Sequence, residues 1–387
     1  MATEKRPEKP VPDSRGTMPE NPQAGMEAET QYRRVLVVTT SRRTRGGIAA
    51  VVRGLEQEEL WKKHACRWIE TQIDRGIVLK AAYLVKSYAL FFRWAGKYDI
   101  VHFHTVPGNS TRIHLPMLRW AKRRGCKILV HLHIGEQLVA YAADQKFNSL
   151  LGEADRILVL SNKARELLKA HYHLSTPVEV LYNACAVEPV ERAGLHDNAG
   201  TNIEGTEHGR TNLILVAGIL DANKAYDVII TAFAQLAERY PDWRLVFAGN
   251  GELEKADELV RRCGIANRVE FRGWVSGAEK EELFRQAKVY CMASYKEGFP
   301  MSVLEAWACG IPVVCTPAGG LADVVVDGEN ALVLEPGNSS DLARQLERMM
   351  SDEVLRKNLR NAALRMVEEK FSPKQIGAQL EKIYREL

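Results

Sequence analysis

At 387 residues the chain is long enough for two ordinary domains, each with its own core. An apolar fraction of 46% and a charged fraction of 26% are those of a globular protein, and a net charge of +4 is too mild to select nucleic acid as a partner. No apolar run reaches the roughly 18 residues of a membrane span, and the seven scattered cysteines, an odd number without a Cys-x-x-Cys pair, read as buried reduced thiols in a cytoplasmic chain.

Residues 1–32 carry Pro, Glu and Gly and few large apolar groups, so they predict a disordered tail without a secretory signal. The first strand, "RVLVVTT", runs into "SRRTRGGIAAVVRGL". Gly46-Gly47, just before an amphipathic stretch at Ile48–Leu60, lets backbone N–H groups approach an anion, although an ordinary turn fits equally well. The G-x-G-x-x-G spacing of a dinucleotide site is absent, as is any Gly-Lys-Ser/Thr phosphate loop. Leu79–Tyr98 and Arg119–Arg124 mix aromatic and basic groups on helices. Two readings stand: a seat on an anionic membrane surface, or a half-buried helix with a solvated basic edge.

The strands "DIVHFH" and "KILVHLH" deliver His102 and His104, then His131 and His133, each pair on one face of its strand. No cysteine or carboxylate completes a metal set, so these read as structural histidines and no metal is expected. His133, last on its strand, is kept as a cleft residue. "RILVL" and "VEVLY", with a helix at Asn162–His171 between them, finish the first half. Glu188–Asn212 is polar and rich in Gly and Asn, a linker by composition.

In the second half "LILVAG" leads to Lys224, "VFAGNGELE" carries Asn250, and "VEFRGWVS" carries Gly273 and Trp274. After "VYCMA" comes "EGFPMSVLEAWACGIPVVCTPAGG", with Glu297 and Glu305 eight residues apart and Ser302–Glu305 reading as a capping box. "ALVLE" is the last strand. In "SPKQIGAQLEKIYREL" Ser372 is a plausible N-cap, Pro373 fits the first helical position, and Ile376, Leu380, Ile383, Tyr384 and Leu387 share a face. Strands alternating with helices predict an α/β fold of two doubly wound, Rossmann-like domains facing a cleft.

From about Arg34 onward, and most closely over Leu213–Pro336, this ordered series of motifs resembles the retaining GT-B glycosyltransferases of the group 1 (family 4) class. The E-x7-E segment with its flanks is the most specific match; Gly46-Gly47, "VHLH" ending at His133, Ser161 and Asn183 match further positions. The resemblance implies an acceptor-binding domain at 33–190, a linker at 191–211, a nucleotide-sugar domain at 212–370, and a last helix at 371–387 packing back on the first domain. It implies catalytic roles for His133, Lys224 and Glu297. Donor contacts would come from Gly46, Gly47, Gly218, Lys224, Asn250, Gly273, Trp274, Glu297, Gly298, Phe299, Pro300, Met301, Ser302, Val303 and Glu305. Glu297 would hold sugar hydroxyls, Glu305 the ribose, and Lys224 the leaving diphosphate.

The expected reaction is metal-independent, cofactor-free transfer, with retention, from a nucleotide-diphosphate sugar to a glycan or lipid-linked acceptor. It would serve surface polysaccharide or glycolipid synthesis, in the cytoplasm or peripherally on the inner membrane face. Three departures stand out: Ile219 where the family commonly has Arg, Ala225 where it has Gly after the lysine, and Ala184 after Asn183. Arg42, Arg43 or Arg45 reaching across would replace the missing cation. The alternatives are a non-catalytic nucleotide-sugar-binding protein, or another enzyme on this scaffold such as an epimerase or a phosphorylase. The E-x7-E segment weighs against an epimerase, and the lack of a lysine-based pyridoxal-phosphate motif against a phosphorylase.

Overall fold

The computed structural model describes residues 32–44, 46–73, 76–185, 187 and 209–387. The expected tail up to residue 31, most of the linker and Arg45 lie outside the described residues. Two all-parallel, six-stranded sheets organise the rest. The first comprises β1 (Val35–Thr39), β2 (Arg67–Glu70), β3 (Ile100–Thr105), β4 (Lys127–Leu132), β5 (Arg156–Val159) and β6 (Val178–Val180), in the order β2-β1-β3-β4-β5-β6. The second comprises β7 (Thr211–Ala217), β8 (Arg244–Ala248), β9 (Val269–Phe271), β10 (Ala287–Met292), β11 (Val313–Cys315) and β12 (Leu332–Val333), in the order β12-β11-β10-β7-β8-β9.

Parallel pairing demands a crossover between strands and helices on both faces, which is why central strands such as Val35–Val38 are buried along their whole length. The sequence order reverses between β1 and β3 in one sheet and between β7 and β10 in the other. At such a reversal the loops leaving the strand ends splay apart and open a crevice, so the loops after β1, β3, β7 and β10 are where a ligand belongs.

β2, an edge strand paired to β1, escapes the sequence reading. Its four residues, Arg67–Glu70, offer no apolar run; Trp68 anchors it by donating its indole N–H to the Thr40 carbonyl at 2.9 Å. The stretch read as one helix from Ile48 is two, Gly47–Glu56 and Glu59–Lys63.

On one face of the first sheet Leu36, Val38, Val101, Phe103, Ile128 and Val130 pack together; on the other lie Val35, Val37, Ile100, Leu129 and Leu158. The second face is closed by the helix Pro373–Glu386, whose start is fixed by Pro373 and by Ser372 Oγ accepting from Gln375 N at 3.4 Å. Ile376, Leu380, Ile383 and Tyr384 are buried there. At about 1.5–3 kcal/mol for each fully buried large side chain, that seam is a substantial part of the first sheet's stability. The chain reaches it through a wide turn at Val367–Phe371, beside the segment leaving β6, where Cys185 N donates to Phe371 O at 2.7 Å. All seven cysteines are free thiols, and burial pushes Cys66, Cys185 and Cys315 up to about 12.

Candidate active site

The loop after β7 is laced to the loop after β10. Tyr295 N donates to Asn223 O at 2.8 Å, Lys296 N to Asn223 Oδ1 at 3.1 Å, and Asn223 Nδ2 to Lys296 O at 3.0 Å. Asp221 accepts from Lys224 N at 3.0 Å and closes the short turn that presents the lysine. Held on both sides, the Lys224 ammonium pairs directly with the Glu297 carboxylate, and both side chains are largely buried. Gly218 lies alongside the lysine: Lys224 Cε stands 3.5 Å, an ordinary contact, from where a side chain at 218 would begin.

Glu297 and Gly298 also touch the first sheet's loops. A Cβ at Gly135 would lie 1.8 Å from Glu297 O, and one at Gly298 would lie 3.7 Å from the His133 backbone. The backbone of His133, at the end of β4, is therefore close to Gly298, the neighbour of Glu297, across the crevice. Burial, with His131 and His104 close by, holds its imidazole well below the usual range and so neutral. Its Nε2 is 2.8 Å from His104 Nδ1. Phe299 O accepts from Asn183 Nδ2 at 3.2 Å, while Ser161 caps the helix Asn162–His171 by accepting from Ala164 N at 3.0 Å.

The helix Met301–Ala308 follows, with Pro300 extended ahead of it and no side chain capping its first turn. Uncapped N–H groups at a helix start suit an anion. Gly47 opens the helix Gly47–Glu56 directly opposite, its Cβ position 3.1 Å from Met301 Cγ, so the two helix starts meet. Ser302 shares a hydrogen bond with the Tyr290 hydroxyl, and Val303 is fully buried. Asn250, Gly273 and Trp274 lie one loop further on: Asn250 Oδ1 is 3.4 Å from the Gly273 Cβ position and Trp274 is partly exposed.

One expectation is corrected here, and another loses one of its three candidates. Ser302 and Glu305 do not form a capping box: the Glu305 carboxylate turns inward and takes both oxygens to Lys280 Nζ, at 2.7 Å each. Arg42 does not reach across the crevice, because it is held by Glu56 at 3.1 Å through Nε and stacks on Trp68 at 4.3 Å. Ile219 is 54% exposed at the position that lacks the cation. Sequence reasoning missed Lys280, hidden in the acidic run "AEKEE" that reads as a solvated face, and missed Asn223 and Gly135, whose roles depend on contacts distant in sequence.

Residues 201–366 match the family Glycosyl transferases group 1, and residues 34–188 match Glycosyltransferase Family 4. A D-inositol 3-phosphate glycosyltransferase of Corynebacterium aurimucosum is 30% identical over 309 residues, 74% of this chain and 71% of that protein. An uncharacterized glycosyltransferase of Methanocaldococcus jannaschii is 26% identical over 258 residues, 66% of this chain and 63% of that protein. Among solved structures, Anabaena HepE in complex with UDP and glucose superposes with a TM-score of 0.69 at 18% identity, covering 92% of this chain and all of that one.

Proposed function

The chain belongs to the group 1 glycosyltransferases, and from that premise we propose that it moves a sugar, with retention, from a nucleotide-diphosphate sugar to a glycan or lipid-linked acceptor. The observation that carries the reading is the Lys224–Glu297 pair, set between an uncapped helix start and His133. The two side chains neutralise each other. A donor would take over both partners: its diphosphate meets the ammonium and the N–H groups at Met301, and its sugar hydroxyls meet the carboxylate.

As the glycosidic bond breaks, charge gathers on the leaving diphosphate. Lys224 and the helix start stabilise that charge without a metal ion. The acceptor hydroxyl attacks from the face the diphosphate leaves, and a phosphate oxygen takes its proton. Neutral His133 contacts the sugar rather than acting as a nucleophile. Glu305, already 8% exposed and doubly bonded to Lys280, would turn one oxygen to the ribose.

The test is titration calorimetry of UDP, GDP and ADP against wild type and Glu305→Ala. UDP comes first, given the UDP bound in Anabaena HepE. One diphosphate should bind, and the substitution should weaken it about tenfold or more, the contribution of a hydrogen bond to a charged group. No binding by any of the three would sink the donor reading. The exposed Ile219 favours a second reading, binding without turnover; product analysis with the bound nucleotide's sugars and a panel of acceptors separates the two.

A lipid-linked acceptor has its own support. The helix Ile77–Trp94 leaves Ile77 (84% exposed), Val78 (81%), Val85 and Phe92 bare, and no acidic residue occurs from Ile77 to Tyr98, whereas Lys80, Lys86, Arg93 and Lys97 do. Each cation close to an anionic bilayer contributes about 1 kcal/mol. Among the described residues no helix is long and apolar enough to cross a membrane, so this would be a surface seat. Co-sedimentation with anionic but not neutral vesicles is expected; absence from both pellets removes this part of the reading.

A further inference from the structure

The first sheet's inner face is aliphatic at Val35, Val37, Ile100, Leu129 and Leu158, yet three of its positions are fully buried imidazoles. His102 and His104 from β3 and His131 from β4 bring one ring nitrogen each to within 4.8 Å of the others. The His102 and His131 rings stack at 5.7 Å with 9° between their planes. Among the described residues His102 Nε2 has no hydrogen-bond partner, and neither nitrogen of His131 makes a well-aligned one, the Leu181 backbone being its only polar neighbour of that kind. Buried polar atoms without partners are rare, and a cluster of them on an otherwise aliphatic face calls for a ligand.

We propose that His102, His104 and His131 bind a single divalent transition-metal ion of the zinc, cobalt and nickel class. Imidazole nitrogens select these metals over calcium or magnesium, which need oxygen donors. Two of the rings already have the partners that orient metal-binding histidines. His102 Nδ1 is 2.8 Å from the Tyr384 hydroxyl and His104 Nδ1 is 2.8 Å from His133 Nε2, which leaves each Nε2 for the ion.

Ligands about 2.0–2.1 Å from one zinc ion stand at most about 4 Å apart, so the rings close in by small side-chain rotations. His104 also lines a cavity with Thr40, Gly46, Gly47, Ser110 and His114, which gives the ion a way in and a water as fourth ligand. The site lies behind the crevice and stands whether or not the chain transfers sugars.

The test uses the full chain, stripped with a chelator and dialysed, then titrated with Co²⁺ by visible absorption and with Zn²⁺ by calorimetry. One saturable equivalent with tetrahedral cobalt absorption is expected, lost or weakened at least tenfold in His131→Gln. Tyr384→Phe should weaken it up to about tenfold, the effect of losing an orienting partner. The exposed His171 and His173 serve as controls, and His171→Ala with His173→Ala should bind as wild type does. If metal-free His131→Gln melts early, His102→Gln carries the same expectation. No saturable uptake by the wild type, or a tight equivalent retained by the folded histidine variant, overturns the proposal.

Discussion

The two sides of the crevice are built differently. On the second sheet's side the chemistry is in side chains that hold one another: Lys224 with Glu297, Lys280 with Glu305, and Asn223 with the backbone of Tyr295 and Lys296. On the first sheet's side the loop after β1 offers backbone at Gly46 and Gly47, and Arg42 in that loop is tied back to Glu56. Partnered charges define a site before any ligand arrives, because each fixes the other's rotamer and the ligand then replaces one partner by another. A backbone loop beside open space is defined only by what enters it. The second sheet's side is thus written in residue identity, and the first sheet's side in shape.

Removing the central cation should give the largest effect. Lys224→Ala is expected to lower the turnover number about 10²–10³-fold, the usual loss when a donor to a developing anion is deleted. Glu297 is then left largely buried without its cation, so stability should fall as well, by about 1–3 kcal/mol, and steady-state kinetics beside a melting curve separate the two effects. An equal loss from Arg42→Ala would break the comparison, since it would put an essential charge on the first side. Gly135→Ala probes the seam between the sides. Its Cβ would overlap Glu297 O, so the halves must part locally, at a cost of about 1–3 kcal/mol read from denaturant unfolding and with weaker transfer.

Ile219→Arg sharpens the contrast from the other direction. A charge-assisted bond contributes roughly 1.5–3 kcal/mol, so restoring the cation should tighten diphosphate binding at least tenfold by calorimetry. The smallest effect belongs to Ala225, held at φ 51°, where a side chain is unwelcome. Ala225→Gly should raise stability by about 1 kcal/mol, measured as a small rise in melting temperature, since the left-handed conformation costs glycine little.

Legibility in the sequence followed the same division. Eleven β-rich runs and the E-x7-E segment announce both sheets and the loop after β10, because apolar periodicity and a spaced motif are local signals. β2 was illegible, since a four-residue edge strand is fixed by its neighbour rather than by its composition. The Ser302–Glu305 capping box failed for a related reason: the local pattern was present, but Lys280, 25 residues away, offers Glu305 a full charge instead of a backbone N–H. Alternation puts each strand's two histidines on one face of that strand, yet only the register of His104 opposite His131 brings the two strands' rings together.

The helix Pro373–Glu386 has a consequence for how the protein is made. Tyr384 meets His102 across 282 residues of sequence, so the first sheet leaves the ribosome with one face uncovered while the whole second sheet is still being translated. Contacts so distant close late, and an exposed apolar face is sticky in the meantime. A nascent chain stalled before Pro373 would therefore be a client for chaperones through its first sheet, although the missing segment lies far downstream of it.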